Sequence, residues 1–244
     1  MHTPKQEDED QVNADIARDP IAEESVGIEI INGRIRLVSI QVDGTVNLLT
    51  NSKDLHNLLY VASMEAAGWR GLVAELEELI NNPKAKEIHF QEFFERNPEF
   101  LHGDTYQEAR SHIILQREDD GPLIPDFALR PVNENDLCDL LEIKLPKAPL
   151  IRASKNRVRL TAAIMEACAQ LREYASYFED AKRREIVENN YGLRFFRPRQ
   201  IVLIGERGKY APNDLRNAES DVPNLSIWTY DDIVERARRR LRKR

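Results

Sequence analysis

The sequence predicts an α/β protein, with an α-β-β-β-α-β core preceded by a small α+β module. Three observations carry that expectation. From residue 84 onward, helical patterns alternate with strand-like runs, and Gln200-Ile201-Val202-Leu203-Ile204-Gly205 reads as the short apolar strand of a buried parallel sheet. Before residue 84, Asn32-Gly33 and Asp43-Gly44 separate β-rich runs, the strongest short hairpin signals. With 244 residues, 41% of them hydrophobic, the chain can bury a substantial core.

The elements follow in order. Residues 1–25 hold eight acids against Lys5 and Arg18 and lack aromatics, a composition that predicts a disordered acidic tail. Residues 26–83 form the N-terminal module. Three meandering strands cover residues 28–49 around the two glycine turns. Ser52 or Asp54 caps a helix reaching about Ala67, with Leu55, Leu58, Leu59, Ala62 and Ala66 on one face. Gly68 breaks that pattern, and a second helix over residues 72–80 ends at Asn81-Asn82-Pro83.

Residues 84–244 form the second domain. An amphipathic helix from Glu87 is stopped by Asn97-Pro98. A first strand covers residues 106–116, and Gly121-Pro122 precedes a second over 124–129. Asn133 and Asn135 mark a turn, and residues 140–145 make a third strand apolar enough to be central. A long helix over 161–184 carries Ile164, Cys168, Leu171, Ala175 and Phe178 on its apolar stripe. Strands over 200–205 and 225–229 follow, and Tyr230 or Asp231 opens a terminal helix.

Composition narrows the function classes. No apolar run approaches the ~18 residues of a membrane span, and the N-terminus lacks a signal-peptide core. Cys138 and Cys168 read as free buried thiols of a cytoplasmic protein. The net charge of −7 argues against nucleic acid, but the distribution of charge points the other way. Most of the excess negative charge lies in the tail. Residues 143–165 contain no acid and six bases, Lys144, Lys147, Arg152, Lys155, Arg157 and Arg159, and a second basic cluster runs from Arg236 to Arg244. Both suit contact with a phosphate backbone, though a solvated basic tail explains the second equally well.

The chemistry gathers at the predicted hairpin. Pairing its strands brings Asp126 beside Glu142 and Lys144, two residues whose side chains share one strand face. Two adjacent carboxylates repel unless a cation lies between them, and hard oxygen ligands suit Mg²⁺. A lysine beside that ion can orient or activate water. The bland alternative is a buried ion pair that holds the hairpin.

Pro125-Asp126 followed by Glu142-x-Lys144 resembles the PD-(D/E)XK nuclease signature, and the element order matches the restriction-endonuclease-like core of that superfamily. Residues 84–235 further resemble the nuclease domain of Shedu antiphage defence proteins. The resemblance is carried by Gln91-x-Phe93-Phe94-Glu95-x-Asn97-Pro98, Pro125-Asp126-Phe127, Leu141-Glu142-Ile143-Lys144-x-Pro146, Gln170-Leu171-x-x-Tyr174, Val202-Leu203-Ile204-Gly205 and Thr229-Tyr230-Asp231-Asp232. It implies a metal-dependent endonuclease acting on double-stranded DNA, a homo-oligomer (dimer or tetramer) using Mg²⁺ or, in its place, Mn²⁺. Asp126, Glu142 and the Ile143 carbonyl would hold the metal, and Lys144 would position the attacking water. Gln170 and Tyr174 would support the site, and Glu87 would serve as an acidic helper, with Glu95 competing for that role. Lys147, Arg152, Lys155, Arg157 and Arg159 would track DNA, and residues 26–83 would regulate the nuclease. A repair or recombination nuclease, or a catalytically silent DNA-binding sensor, are the alternatives.

Other features carry less. His89, His102 and His112 lack zinc-site spacing, and Gly205-Glu206-Arg207-Gly208 lacks the ending of a phosphate-binding loop. Trp69 and Trp228 are expected to be core or domain-contact residues.

Overall fold

The computed structural model describes residues 24–31, 34–41, 43–48, 52–118, 120–154 and 157–243. The chain divides into two compact units, Met1–Ala67 and Gly68–Arg244.

The first unit contains the expected meander. Strands β1 (Glu24–Ile31), β2 (Arg34–Gln41) and β3 (Val46–Leu48) pair antiparallel in the order β1-β2-β3. At the second turn, the Thr45 N–H donates to Asp43 Oδ1 at 2.8 Å and Gly44 takes φ +84°, a left-handed value that favours glycine. The Asn32-Gly33 turn and the acidic tail lie outside the described residues, except that Glu24 and Ser25, assigned to the tail, begin β1.

One helix, α1 (Ser52–Asn81), stands where two were expected. Gly68 does not break it. A mid-helix glycine costs about 1 kcal/mol against alanine, and the surrounding Ala, Leu and Glu residues outweigh that cost. Within the second unit, Val73, Leu76 and Ile80 form the buried stripe of α1.

The rest of the second unit is built on a five-stranded mixed sheet. Helix α2 (Glu87–Arg96) buries Phe90, Phe93 and Phe94, and Asn97 terminates it by donating its N–H and Nδ2 to the Phe93 carbonyl. Helix α3 (Glu99–His102) follows directly. Strands β4 (Tyr106–Arg110), β5 (Phe127–Pro131) and β6 (Asp139–Ile143) form an antiparallel meander. The first strand is shorter than expected because His112 adopts φ +57°, which extended backbone cannot accommodate.

A hairpin of β7 (Ile151–Ser154) and β8 (Arg157–Leu160), which the sequence pattern does not reveal, leads to helix α4 (Ala162–Tyr177). The long helix expected over 161–184 is broken there. Asp180 caps a separate helix α5 (Ala181–Tyr191), its Oδ1 accepting from the N–H groups of Lys182 and Arg183 at 2.7 and 3.1 Å. Strand β9 (Gln200–Leu203), helix α6 (Pro212–Ser220), strand β10 (Leu225–Trp228) and helix α7 (Tyr230–Lys243) complete the unit.

The sheet order is β10-β9-β6-β5-β4, with β9 parallel to both β6 and β10. Strands β6 and β9 are buried along their length, as their apolar runs predict. Alternation sends Leu141, Ile143, Ile201 and Leu203 into a core shared with α1, α2, α3 and α7. Leu140, Val202 and Ile204 enter a second core with α4, α5 and α6. Cys138 and Cys168 are free and buried in the second core. Among the described residues no helix is long and apolar enough to cross a membrane.

Candidate active site

Asp126 lies in the turn entering β5, Glu142 is the penultimate residue of β6, and Lys144 follows that strand directly. The register Phe127↔Leu141 brings the three together. Asp126 Oδ2 accepts the Ile143 N–H at 2.6 Å. In a strand, the N–H and C=O of one residue point to the same side, so the Ile143 carbonyl is directed to the Asp126 side as well. Lys144 Nζ donates to Glu142 Oε1 at 2.8 Å and lies 3.7 Å from Glu87 Oε2 on α2. The second oxygen, Glu142 Oε2, is buried and has no hydrogen-bond partner.

The electrostatics follow from that crowding. Burial raises the Asp126 carboxyl above its ordinary range, against the Ile143 hydrogen bond and the Lys144 charge, and Glu87 and Glu95 push it further up. Glu142 is pushed up to about 7, first by burial and then by the Asp126 charge, although Lys144 opposes both. For Lys144, burial pulls the ammonium down. The Glu142 hydrogen bond and charge, with Glu87 and Asp126, outweigh burial, and the net shift is upward. The pocket thus holds more carboxyl groups than one lysine can neutralise, and both buried carboxyls keep their protons to higher pH than usual.

The Asp126 and Glu142 carboxyls, with the orphaned Glu142 Oε2 among their oxygens, and the Ile143 carbonyl offer an all-oxygen donor set suited to a hard divalent cation. Among the described residues there is no group of three or more His, Cys, Asp or Glu side chains placed to hold a metal. Two carboxyl side chains alone do not complete the shell of such a cation, which takes further oxygens from backbone or water; the resemblance implies the Ile143 carbonyl for that role.

The supporting residues divide. Glu87 reaches Lys144 directly. Glu95 does not: it accepts from Gln91 Nε2 at 2.7 Å and pairs with His112 Nε2 at 2.9 Å. Gln91 also donates to the Asp126 carbonyl at 3.2 Å, so α2 grips the turn that presents Asp126. Tyr174 is buried on α4, and its phenol is pushed up to about 12, first by burial and then by the Glu142 and Asp126 charges. Gln170 lies one turn before it, half-buried.

Of the basic residues, Lys147 is paired with Glu206 at 2.8 Å. Arg152 and Arg159 are opposed across the hairpin, and Arg157 shares their face two positions along β8. All three are exposed, while Ile151 and Val158 pack against the core. Lys155 lies outside the described residues.

Sequence reasoning offers Tyr230 or Asp231 as the start of the terminal helix and gives Tyr230 no role at the site. Its side chain is fully buried, and its hydroxyl donates to the Lys144 carbonyl at 2.7 Å. The only signal is its place in Thr229-Tyr230-Asp231-Asp232, and nothing local links it to Lys144.

A family model described as "Shedu protein SduA, C-terminal" matches residues 84–234. No curated protein matches the chain. The matched span contains the whole Asp126–Glu142–Lys144 cluster, with α2 and α4, which frame it. The chain belongs to the Shedu family of antiphage defence proteins.

Proposed function

We propose that residues 84–234 form a metal-dependent nuclease of restriction-endonuclease-like topology that hydrolyses phosphodiester bonds of double-stranded DNA in antiphage defence. The observation that carries this reading is Glu142 Oε2, a buried carboxylate oxygen without a donor, set beside a second raised carboxylate. A buried carboxylate oxygen left without a donor is costly, and a cation would complete it beside the Lys144 contact on the other oxygen.

Asp126, Glu142 and the Ile143 carbonyl would hold Mg²⁺, or Mn²⁺ in its place. The ion would polarise the phosphoryl group and acidify a water. Glu142 Oε1 fixes Lys144 Nζ, and the upward shift of that ammonium keeps it charged. Lys144 is therefore a hydrogen-bond donor, suited to orient the attacking water and to stabilise charge developing on the phosphoryl oxygens. Tyr230 anchors the backbone of Lys144, and Gln91 anchors that of Asp126. Glu87, near Nζ and half exposed, can assist from the solvent side.

Arg152, Arg157 and Arg159 form a cationic hairpin face, and two directly opposed arginines repel unless an anion lies across them. A phosphate backbone supplies that anion.

The test is cleavage of matched linear and circular duplexes with Mg²⁺ and with EDTA, comparing wild type with Lys144→Ala. Mg²⁺-dependent cutting lost in the variant is expected. Cutting in EDTA, or undiminished cutting by the variant, would refute the assignment.

A further inference from the structure

Four arginines of α7, Arg236, Arg238, Arg239 and Arg240, have two different environments. Arg238 pairs with Glu77, and Arg239 Nε pairs with Glu235 Oε1 at 3.1 Å. Arg236 and Arg240 have no carboxylate within ion-pair distance among the described residues. Each lies instead over an indole: Arg236 is 4.5 Å from the Trp228 ring centroid and Arg240 is 4.7 Å from that of Trp69. Being four apart, they occupy one helix face.

Trp69 is itself fixed. Its Nε1 donates to the Ala237 carbonyl at 2.8 Å, and its ring stacks on Phe100 at 4.5 Å. The two guanidiniums are thereby pre-positioned at the wall of a cavity of about 480 Å³. His102, Gly103 and Tyr106 contribute to the same wall, and Glu99 and Asp104 stand around it.

Two nitrogens here are buried without a partner, Arg236 Nε and His102 Nε2. Burial also pulls the Arg236 guanidinium below its ordinary value, against the attraction of Asp232 and Asp104. The cation–π contact offsets part of the cost of desolvating a cation, but no counter-ion completes it. Two guanidiniums one turn apart suit a tetrahedral oxyanion, since each offers several N–H donors in a planar fork. The cavity exceeds the size of a lone oxyanion and falls within the range of small-molecule sites. Glu99 and Asp104 disfavour a long polyanion along this wall, yet they can accept hydrogen bonds from sugar hydroxyls.

We propose that this cavity, which shares no residue with the Asp126–Glu142–Lys144 cluster, binds a nucleoside phosphate, with Arg236 and Arg240 taking its phosphoryl oxygens. The proposal does not depend on the nuclease reading.

The chain contains two tryptophans; Trp69 lines the cavity under Arg240, and Trp228 lies under Arg236, so intrinsic tryptophan fluorescence follows the two guanidiniums. The full chain is titrated in EDTA with ADP, with inorganic phosphate and with circular duplex DNA. EDTA keeps a cation at the other site from capturing phosphate. A saturable change with ADP is expected, at lower concentration than with phosphate. Arg240→Ala removes an exposed side chain and is expected to fold normally; it should weaken ADP by about tenfold or more. Arg236→Gln should weaken it at least as much. The proposal is overturned by no response to ADP at millimolar concentration, by a response to DNA alone, or by an unchanged midpoint in Arg240→Ala.

Discussion

Strand β6 carries two buried carboxylates, one near each end, and they differ in every respect except burial. Asp139 is 7% exposed and Glu142 is 4% exposed. Asp139 Oδ2 accepts the Tyr106 hydroxyl at 2.7 Å and Oδ1 accepts the Arg199 N–H at 2.8 Å, so both oxygens have donors. Glu142 has one oxygen on Lys144, one on nothing, and a second carboxylate as neighbour. Three positions apart on a strand, the two residues face opposite sides of the sheet. Burial alone therefore does not mark a functional acid. The distinguishing property is whether the fold satisfies it: both Asp139 oxygens have donors, whereas Glu142 keeps one buried oxygen without a donor, the position that the proposed function assigns to a cation.

The largest effect expected from breaking this contrast is on cutting. Glu142→Gln keeps the shape but removes the charge that would hold a cation, and should reduce Mg²⁺-dependent cleavage by at least about a hundredfold. Asp139→Ala should act the other way. It strands the buried Tyr106 hydroxyl, which should lower unfolding free energy by about 1–3 kcal/mol in urea denaturation while leaving cleavage per folded molecule intact.

The pH dependence sharpens the same point. The folded-state value of Glu142, about 7, lies above its ordinary value of 4.5, so between those values the folded state binds more protons than the unfolded state. The metal-free protein should therefore lose stability as pH rises from about 4.5 through 7. Thermal unfolding in EDTA across that window checks this, and Glu142→Gln should flatten the profile. The smallest effect concerns Tyr230→Phe, which deletes the hydrogen bond to the Lys144 carbonyl and should cost about 1 kcal/mol of stability, with a loss of a few-fold in cutting.

The clustering of Asp126, Glu142 and Lys144 is legible in the sequence because it is local. Asp126, Glu142 and Lys144 sit on one hairpin whose apolar run and asparagine turn are visible in the sequence, and charged residues inside such a run require a reason. The β-meander and the buried parallel strand are legible for the same reason.

What the sequence hides depends on competing local signals or on distant contacts. Gly68 suggests a break, yet two glycines cost α1 less than its neighbours contribute. Asp180 sits inside an apparently continuous helical pattern, although as an N-cap it separates α4 from α5. The β7–β8 hairpin is concealed within a basic run, since Arg152, Arg157 and Arg159 obscure the alternation with Ile151 and Val158. Helix α6 is too polar and short to show a clear period. Tyr230 lies 86 positions from Lys144, and the guanidiniums of Arg236 and Arg240 meet indoles supplied by other elements. Such pairings arise only once the sheet has placed α7.

The most direct test of the contrast is Mg²⁺-dependent cleavage of one circular duplex by wild type, Asp139→Asn and Glu142→Gln in parallel, with each protein's folded fraction measured. Cutting by wild type and Asp139→Asn but not by Glu142→Gln is the expected result. Equal cutting by Glu142→Gln, equal loss in both variants, or no cutting by any of the three would contradict it.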